Sequence, residues 1–256
     1  MNTIHDMLQK IIAEKRNDLA HSMNNAFRSA ILTPTSAGVA LLGEIKLASP
    51  SAGVLGSRDN ITKRAITYEK AGVSAVSVIT EKHYFKGDIQ FITRLKKVIT
   101  IPILQKDFLV DPYQVYEAKM IESDALLFIA RIVNASTLRK LVTLALSLGI
   151  EPVIEINDEK DLRKALSTST SCIAVNARDL RTFEVDVDRA CAVLKKIPNR
   201  YIKLGFSGVH SSIEVKKYKE AGANAVLVGT ALMKAANIGA FVKELVKQES
   251  PGAPVI

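Results

Sequence analysis

From residue 40 onward the chain repeats one pattern: a short aliphatic or β-branched run, a polar turn, then apolar residues at helical spacing. The apolar runs fall at 40–46, 75–80, 101–106, 125–130, 151–156, 172–176, 201–206 and 225–229. Helix-period segments follow at 61–71, 88–98, 112–121, 135–148, 158–167, 186–196, 211–221 and 237–247. Several carry start signals: Asp111-Pro112, Asn157 or Asp158, and Ser211 or Ser212 with Glu214 close behind. An oxygen-bearing side chain there accepts a free N–H of the first turn, and Pro has no N–H to leave unpaired. Gly72, Gly149 and Gly222 mark stops. Residues 70–76 and 220–226 repeat the same helix-stop, strand-start phrase.

Strands alternating with helices in this way predict parallel βαβ units. Eight nearly continuous apolar strands within 256 residues predict an α/β fold closed into a single (β/α)8 TIM barrel. An open doubly wound sheet usually has fewer strands, and the Gly-rich turn expected after its first strand is absent. Ahead of the barrel, Ile4, Met7, Leu8, Ile11, Ile12 and Leu19 predict an N-terminal helix, with a looser segment after it ending at Pro34. The expectation is one domain over 1–256, with a helical extension at 1–37 and the barrel at 38–250.

A barrel of this kind carries its chemistry where the strands end. The polar residues ending the runs are Glu44 and Lys46, Lys106 and Asp107, Arg131, Glu155, Asn176 and Arg178, Ser207 and Gly208, and Gly229 and Thr230. Glu44 and Lys46 stand two apart, so on a strand they face one way. Any one of these charges reads equally as a solvated loop residue; their common position predicts one charged mouth. The last two strand ends each set a glycine beside a hydroxyl, and residues 231–236 follow as a short helix start, the usual place for a phosphate.

Composition narrows the partners. The formal charge is +9, but the basic residues are dispersed among acids, Trp is absent, and no basic-and-aromatic stretch suits nucleic acid. A positive field that draws in a small anionic substrate accounts for the charge. No apolar run reaches membrane-span length and no signal peptide is evident, so a cytoplasmic protein without a membrane partner is expected. Cys172 and Cys191 lack metal-ligand spacing, and Cys172 reads as a buried free thiol. Glu184, Asp186 and Asp188 alternate like metal ligands, yet they open a helix, where acids complement the dipole; no metal is expected. His210 beside the seventh strand end reads as a turn or cap residue.

The motifs resemble those of the indole-3-glycerol-phosphate synthase family. They include Glu44-Ile45-Lys46-Leu47-Ala48-Ser49-Pro50-Ser51, the stretch 77–87, Lys106-Asp107-Phe108 with the residues to Gln114, Glu155, Asn176-Ala177-Arg178, Ser207-Gly208 and Gly229-Thr230. Ala13-Glu14-Lys15-Arg16 fits the family's N-terminal extension. The resemblance implies conversion of 1-(2-carboxyphenylamino)-1-deoxyribulose 5-phosphate to indole-3-glycerol phosphate, by a lyase without a cofactor whose partner is its small phosphorylated substrate; a monomer with at most weak self-association is expected. It implies Lys106 as general acid, Lys46 beside the substrate carboxylate with Glu44 orienting it, and Glu155 moving protons during loss of water. Asn176 and Arg178 would hold substrate hydroxyls. Phe108 would join the substrate-binding set, and Ser49, Ser207, Gly208, Gly229 and Thr230 would form the phosphate cup.

Three positions depart from the family pattern. Phe206 stands where a Glu is usual, Ala177 replaces an amide or hydroxyl residue, and Leu47 replaces a basic one. Phe206 leaves two alternatives: a barrel acting on another phosphosugar, or a relative that binds its ligand without catalysis.

Overall fold

The computed structural model of the protein describes Met7, residues 26–179 and residues 181–247. Eight strands, β1 (Ala40–Ile45), β2 (Ala75–Ile79), β3 (Ile103–Lys106), β4 (Ala125–Ile129), β5 (Glu151–Ile156), β6 (Cys172–Asn176), β7 (Ile202–Phe206) and β8 (Ala225–Val228), close into one parallel barrel. Each pairs with its sequence neighbour, and β1 closes the ring against β8 with Ala40 opposite Ala225 and Leu42 opposite Leu227. Around them lie α2 (Ile61–Lys70), α3 (Gln90–Lys96), α4 (Pro112–Met120), α5 (Ala135–Ser147), α6 (Glu159–Leu166), α7 (Val187–Lys196), α8 (Ser212–Glu220), α9 (Thr230–Lys234) and α10 (Ile238–Leu245), preceded by α1 (Ala26–Leu32). The (β/α)8 reading therefore holds.

The strands are apolar on both faces because both are covered. Alternate residues such as Leu42, Leu104, Leu127, Ala174, Leu204 and Leu227 fill the barrel interior. Their neighbours Leu41, Val76, Leu126, Ile154, Ile173 and Val226 pack beneath the helices. The cap alternatives are settled in favour of Asp158, whose side chain accepts from Asp161 N, and Ser211, which forms a reciprocal capping box with Glu214. Asp111 forms another with Gln114, ahead of Pro112.

Several boundaries shift for identifiable reasons. The third strand begins at Ile103 rather than residue 101, since Pro102 has no N–H for the ladder and gives only its carbonyl, to Val76 N. The segment 48–54, beyond the first strand, forms a small antiparallel ribbon pairing Ala48 with Val54 and Ser49 with Gly53. The looser segment expected before Pro34 contains α1, whose Phe27 and Ile31 stand one turn apart and join the barrel-interior cluster. This helix closes the N-terminal end of the barrel. The helix expected from Ile4 to Leu19 lies outside the described residues except for Met7, as does residue 180. Both cysteines are free and buried. Among the described residues no helix is long and apolar enough to cross a membrane.

Candidate active site

A cavity of about 330 Å3 opens at the C-terminal ends of the strands. Glu44, Lys46, Ser49, Lys106, Phe108, Glu155, Asn176, Arg178, Ser207, Gly208, Gly229 and Thr230 all line it. These residues come from six strand ends and the loops beyond them, so the barrel's closure alone brings them together.

Two lysine–carboxylate pairs occupy the wall. Lys46 Nζ lies 2.6 Å from Glu44 Oε2. Burial alone would raise the Glu44 pKa, but Lys46, Lys106 and Arg178 outweigh it and hold the carboxyl below its ordinary value. The second pair is looser, with Lys106 Nζ 3.6 Å from Glu155 Oε2. That oxygen is buried and has no hydrogen-bond partner, whereas Oε1 accepts from Asn176 Nδ2 at 3.1 Å. Asn176 is in turn fixed: its Oδ1 accepts from Arg178 N, and its carbonyl accepts from Asn157 Nδ2 and Arg189 Nη2. The Arg178 guanidinium donates to the Phe183 carbonyl at 2.8 Å.

The ends of β7 and β8 are built for close approach. Ser207 and Gly208 both adopt left-handed backbone, at φ 70° and 78°. The Tyr218 hydroxyl secures this turn by donating to the carbonyls of Ser207, at 2.9 Å, and Phe206, at 3.2 Å. A Cβ on Gly208 would meet Val187 Cγ2 at 2.5 Å, so glycine is required there for space as well as conformation. Gly229 is required for another reason: a Cβ would stand 2.4 Å from Glu44 Oε2 and 3.0 Å from Lys46 Nζ. The Glu44–Lys46 pair thus rests directly on the bare backbone at the end of β8. The short helix start expected after that strand is α9, opening at Thr230.

One strand-end cation does not join the mouth. The Arg131 guanidinium turns away to Asp158 at 2.7 Å, Asp161 at 3.2 Å and Asp179 at 3.6 Å. Three acids from neighbouring elements capture it, which its local sequence does not reveal. Two of the three alternating acids have structural duties: Asp186 caps α7 by accepting from Arg189 N, and Asp188 pairs with Lys217 at 2.8 Å. His210 gives its backbone N–H to Glu214, the expected turn role, but also lines the cavity.

The residues missed from sequence are mostly apolar. Ile79, Ile129 and Leu227 join Phe206, already singled out, in the cavity floor, while Phe85 and Phe183 stand in its wall. The Phe85 and Phe108 rings lie 6.5 Å apart in a tilted arrangement. Inward phase at the last turn of each strand would have marked Ile79, Ile129 and Leu227; the loop aromatics had no comparable signal. The site therefore offers two ammonium groups, two buried carboxylates and an amide beside an aromatic wall, facing hydroxyls and bare backbone.

Comparison with known proteins agrees across nearly the whole chain. The family model described as Indole-3-glycerol phosphate synthase matches residues 3–245. The indole-3-glycerol phosphate synthase of Shouchella clausii is 38% identical over 236 residues, covering 89% of this chain and 92% of that protein. That of Acetivibrio thermocellus is 32% identical over 255 residues, covering 93% and 98%. Among solved structures, a 3-hexulose-6-phosphate synthase aligns with TM-score 0.67 at 17% identity, over 81% of this chain and 98% of that one. A chain of the Pyrococcus furiosus tryptophan synthase α2β2 complex aligns with TM-score 0.62 at 14% identity, over 83% and 98%. At those identities the structural likeness speaks for the fold alone.

Proposed function

The chain belongs to the indole-3-glycerol phosphate synthase family, and we propose that it catalyses that reaction of tryptophan biosynthesis as a carboxy-lyase, with Lys106 and Glu155 moving the protons. The substrate is 1-(2-carboxyphenylamino)-1-deoxyribulose 5-phosphate; the products are indole-3-glycerol phosphate, carbon dioxide and water. The observation that carries this reading is the Lys106–Glu155 pair, an ammonium facing a buried carboxylate oxygen that no other donor occupies.

Ring closure joins the aromatic carbon bearing the carboxylate to the ketone carbon of the sugar chain. The carbonyl electrons move to oxygen, and a developing alkoxide needs a proton or a fixed cation at hand. Lys106 supplies the proton. Loss of carbon dioxide then returns the bonding electrons to the ring and restores its aromaticity. Removing water requires one proton on the departing hydroxyl and one taken from the carbon beside the nitrogen. Glu155 carries that exchange, oriented by Asn176.

The remaining residues hold the substrate. Lys46 faces its carboxylate, kept in place by Glu44, and Arg178 and Asn176 meet the sugar hydroxyls. Ser49, Ser207, Gly208, Gly229 and Thr230 receive the phosphate, with Lys46 close beside Gly229. Phe85 and Phe108 suit the flat aromatic ring. Phe206 contributes floor rather than proton transfer.

The test uses substrate labelled with 13C in its carboxyl group. Equal release of labelled carbon dioxide and indole-3-glycerol phosphate supports the assignment. Binding without release of label points to the non-catalytic alternative, and turnover of a different phosphosugar alone points to the other.

A further inference from the structure

At the opposite end of the barrel lies a second cavity, of about 390 Å3, between α1 and the segments entering β7 and β8. Arg28, Arg200 and Lys203 all line it. Lys203 is only 5% exposed, and its ammonium donates to Asn199 Oδ1 at 3.1 Å. Among the described residues Asn199 is its one hydrogen-bond acceptor, so its other N–H groups are free for a molecule in the cavity. None of the three cations forms an ion pair with a carboxylate of the described residues. The Arg200 guanidinium lies 4.8 Å from the centre of the Tyr201 ring and donates to that residue's hydroxyl at 3.2 Å, which fixes its planar fork at the rim.

The described residues account for only part of this arrangement. The helices α7 and α8 both end nearby, and their final carbonyls favour a cation. That explains one lysine. It does not explain three cations around one cavity, one of them buried with a single neutral partner, since lost hydration opposes such burial. Burial indeed holds the Lys203 ammonium below its ordinary pKa. Among the described residues that line the cavity there is no carboxylate to balance these charges.

We propose that this cavity is a second anion site, taking a phosphate dianion, free or as the head of a small phosphate monoester, between Lys203 on the inside and Arg28 and Arg200 at the rim. Guanidinium forks match phosphate oxygens in pairs, while an ammonium supplies a point charge beneath them. The site is separate from the catalytic cup, since Lys203 lies near the start of β7 and Ser207 follows that strand's far end.

Calorimetric titration of the full chain with inorganic phosphate, at constant ionic strength in chloride, tests this. Two binding events are expected in the unaltered protein. Arg200→Ala and Lys203→Met should each weaken one of them at least tenfold, leaving the other event and the turnover rate unchanged. Arg200 is exposed, so its variant keeps the test decisive if Lys203→Met fails to fold. Glycerol phosphate in place of phosphate shows whether the cavity admits a monoester: competition at both sites selects that form, and competition at the catalytic site alone selects the free ion. A single event in the unaltered protein, or two events that Arg200→Ala leaves untouched, overturns the proposal.

Discussion

Lys106 Nζ lies 3.6 Å from an oxygen of Glu155 that has no hydrogen-bond partner, while Asn176 holds the other oxygen of the same carboxylate. One oxygen is thus held by Asn176, and under the proposed mechanism the other exchanges protons. Glu155→Gln keeps the shape but loses the basicity, so kcat should fall on the order of a hundredfold or more. Thermal stability should change little by comparison. Steady-state kinetics beside a melting curve separate these outcomes, and an unaltered kcat would remove Glu155 from the mechanism.

Gly229 ties backbone packing to the other ion pair. Its missing Cβ leaves the room that Glu44 and Lys46 occupy. Gly229→Ala should push that pair from its seat and cut kcat/KM by about a hundredfold, since a displacement near 1 Å costs that much at a positioned group. The melting temperature should fall far less than for a core truncation.

Glu44 predicts a dependence on pH. Its folded pKa is held below the ordinary carboxyl value, so the unfolded chain binds this proton more tightly. The pair therefore contributes its full stability above about pH 4.5 and loses it as pH falls through the lower folded value. Glu44→Gln should cost roughly 2 kcal/mol at pH 7, with the difference from the unaltered protein shrinking towards pH 3. Denaturant unfolding across that range measures it. A constant difference would mean that the carboxyl does not titrate with folding.

Phe206 supplies apolar floor where the family usually places a carboxylate. The ring is 1% exposed and packs in the barrel-interior cluster with Leu204 and Leu227. Phe206→Glu should destabilise by about 2 kcal/mol or more, because the new charge loses its hydration among aliphatic neighbours. The added negative charge should also raise KM for a substrate carrying both carboxylate and phosphate. Equal stability with faster turnover would show that the lysines still accommodate an acid there.

The features legible in the sequence are those that local pattern determines. Alternating strand and helix periods specify the barrel, and strand-end position alone groups Glu44, Lys46, Lys106, Glu155 and Asn176. Capping chemistry placed the starts at Asp111, Asp158 and Ser211. What escaped depends on distant partners. Arg131 occupies a strand end like the others, but acids from α6 and the segment after β6 draw it aside. The helix α1 has two buried positions in seven residues, too few to show a period, and takes its meaning from the barrel end it closes. Phe85 and Phe183 sit on loops, where no repeat fixes the direction of a side chain.

The most direct test of the account is turnover of 1-(2-carboxyphenylamino)-1-deoxyribulose 5-phosphate, followed by indole fluorescence, in the unaltered protein and in Lys106→Ala. The account predicts indole-3-glycerol phosphate from the first and a loss of at least a hundredfold in kcat from the second, with folding retained in both. Turnover that survives Lys106→Ala, or none from the unaltered protein despite tight substrate binding, would contradict it.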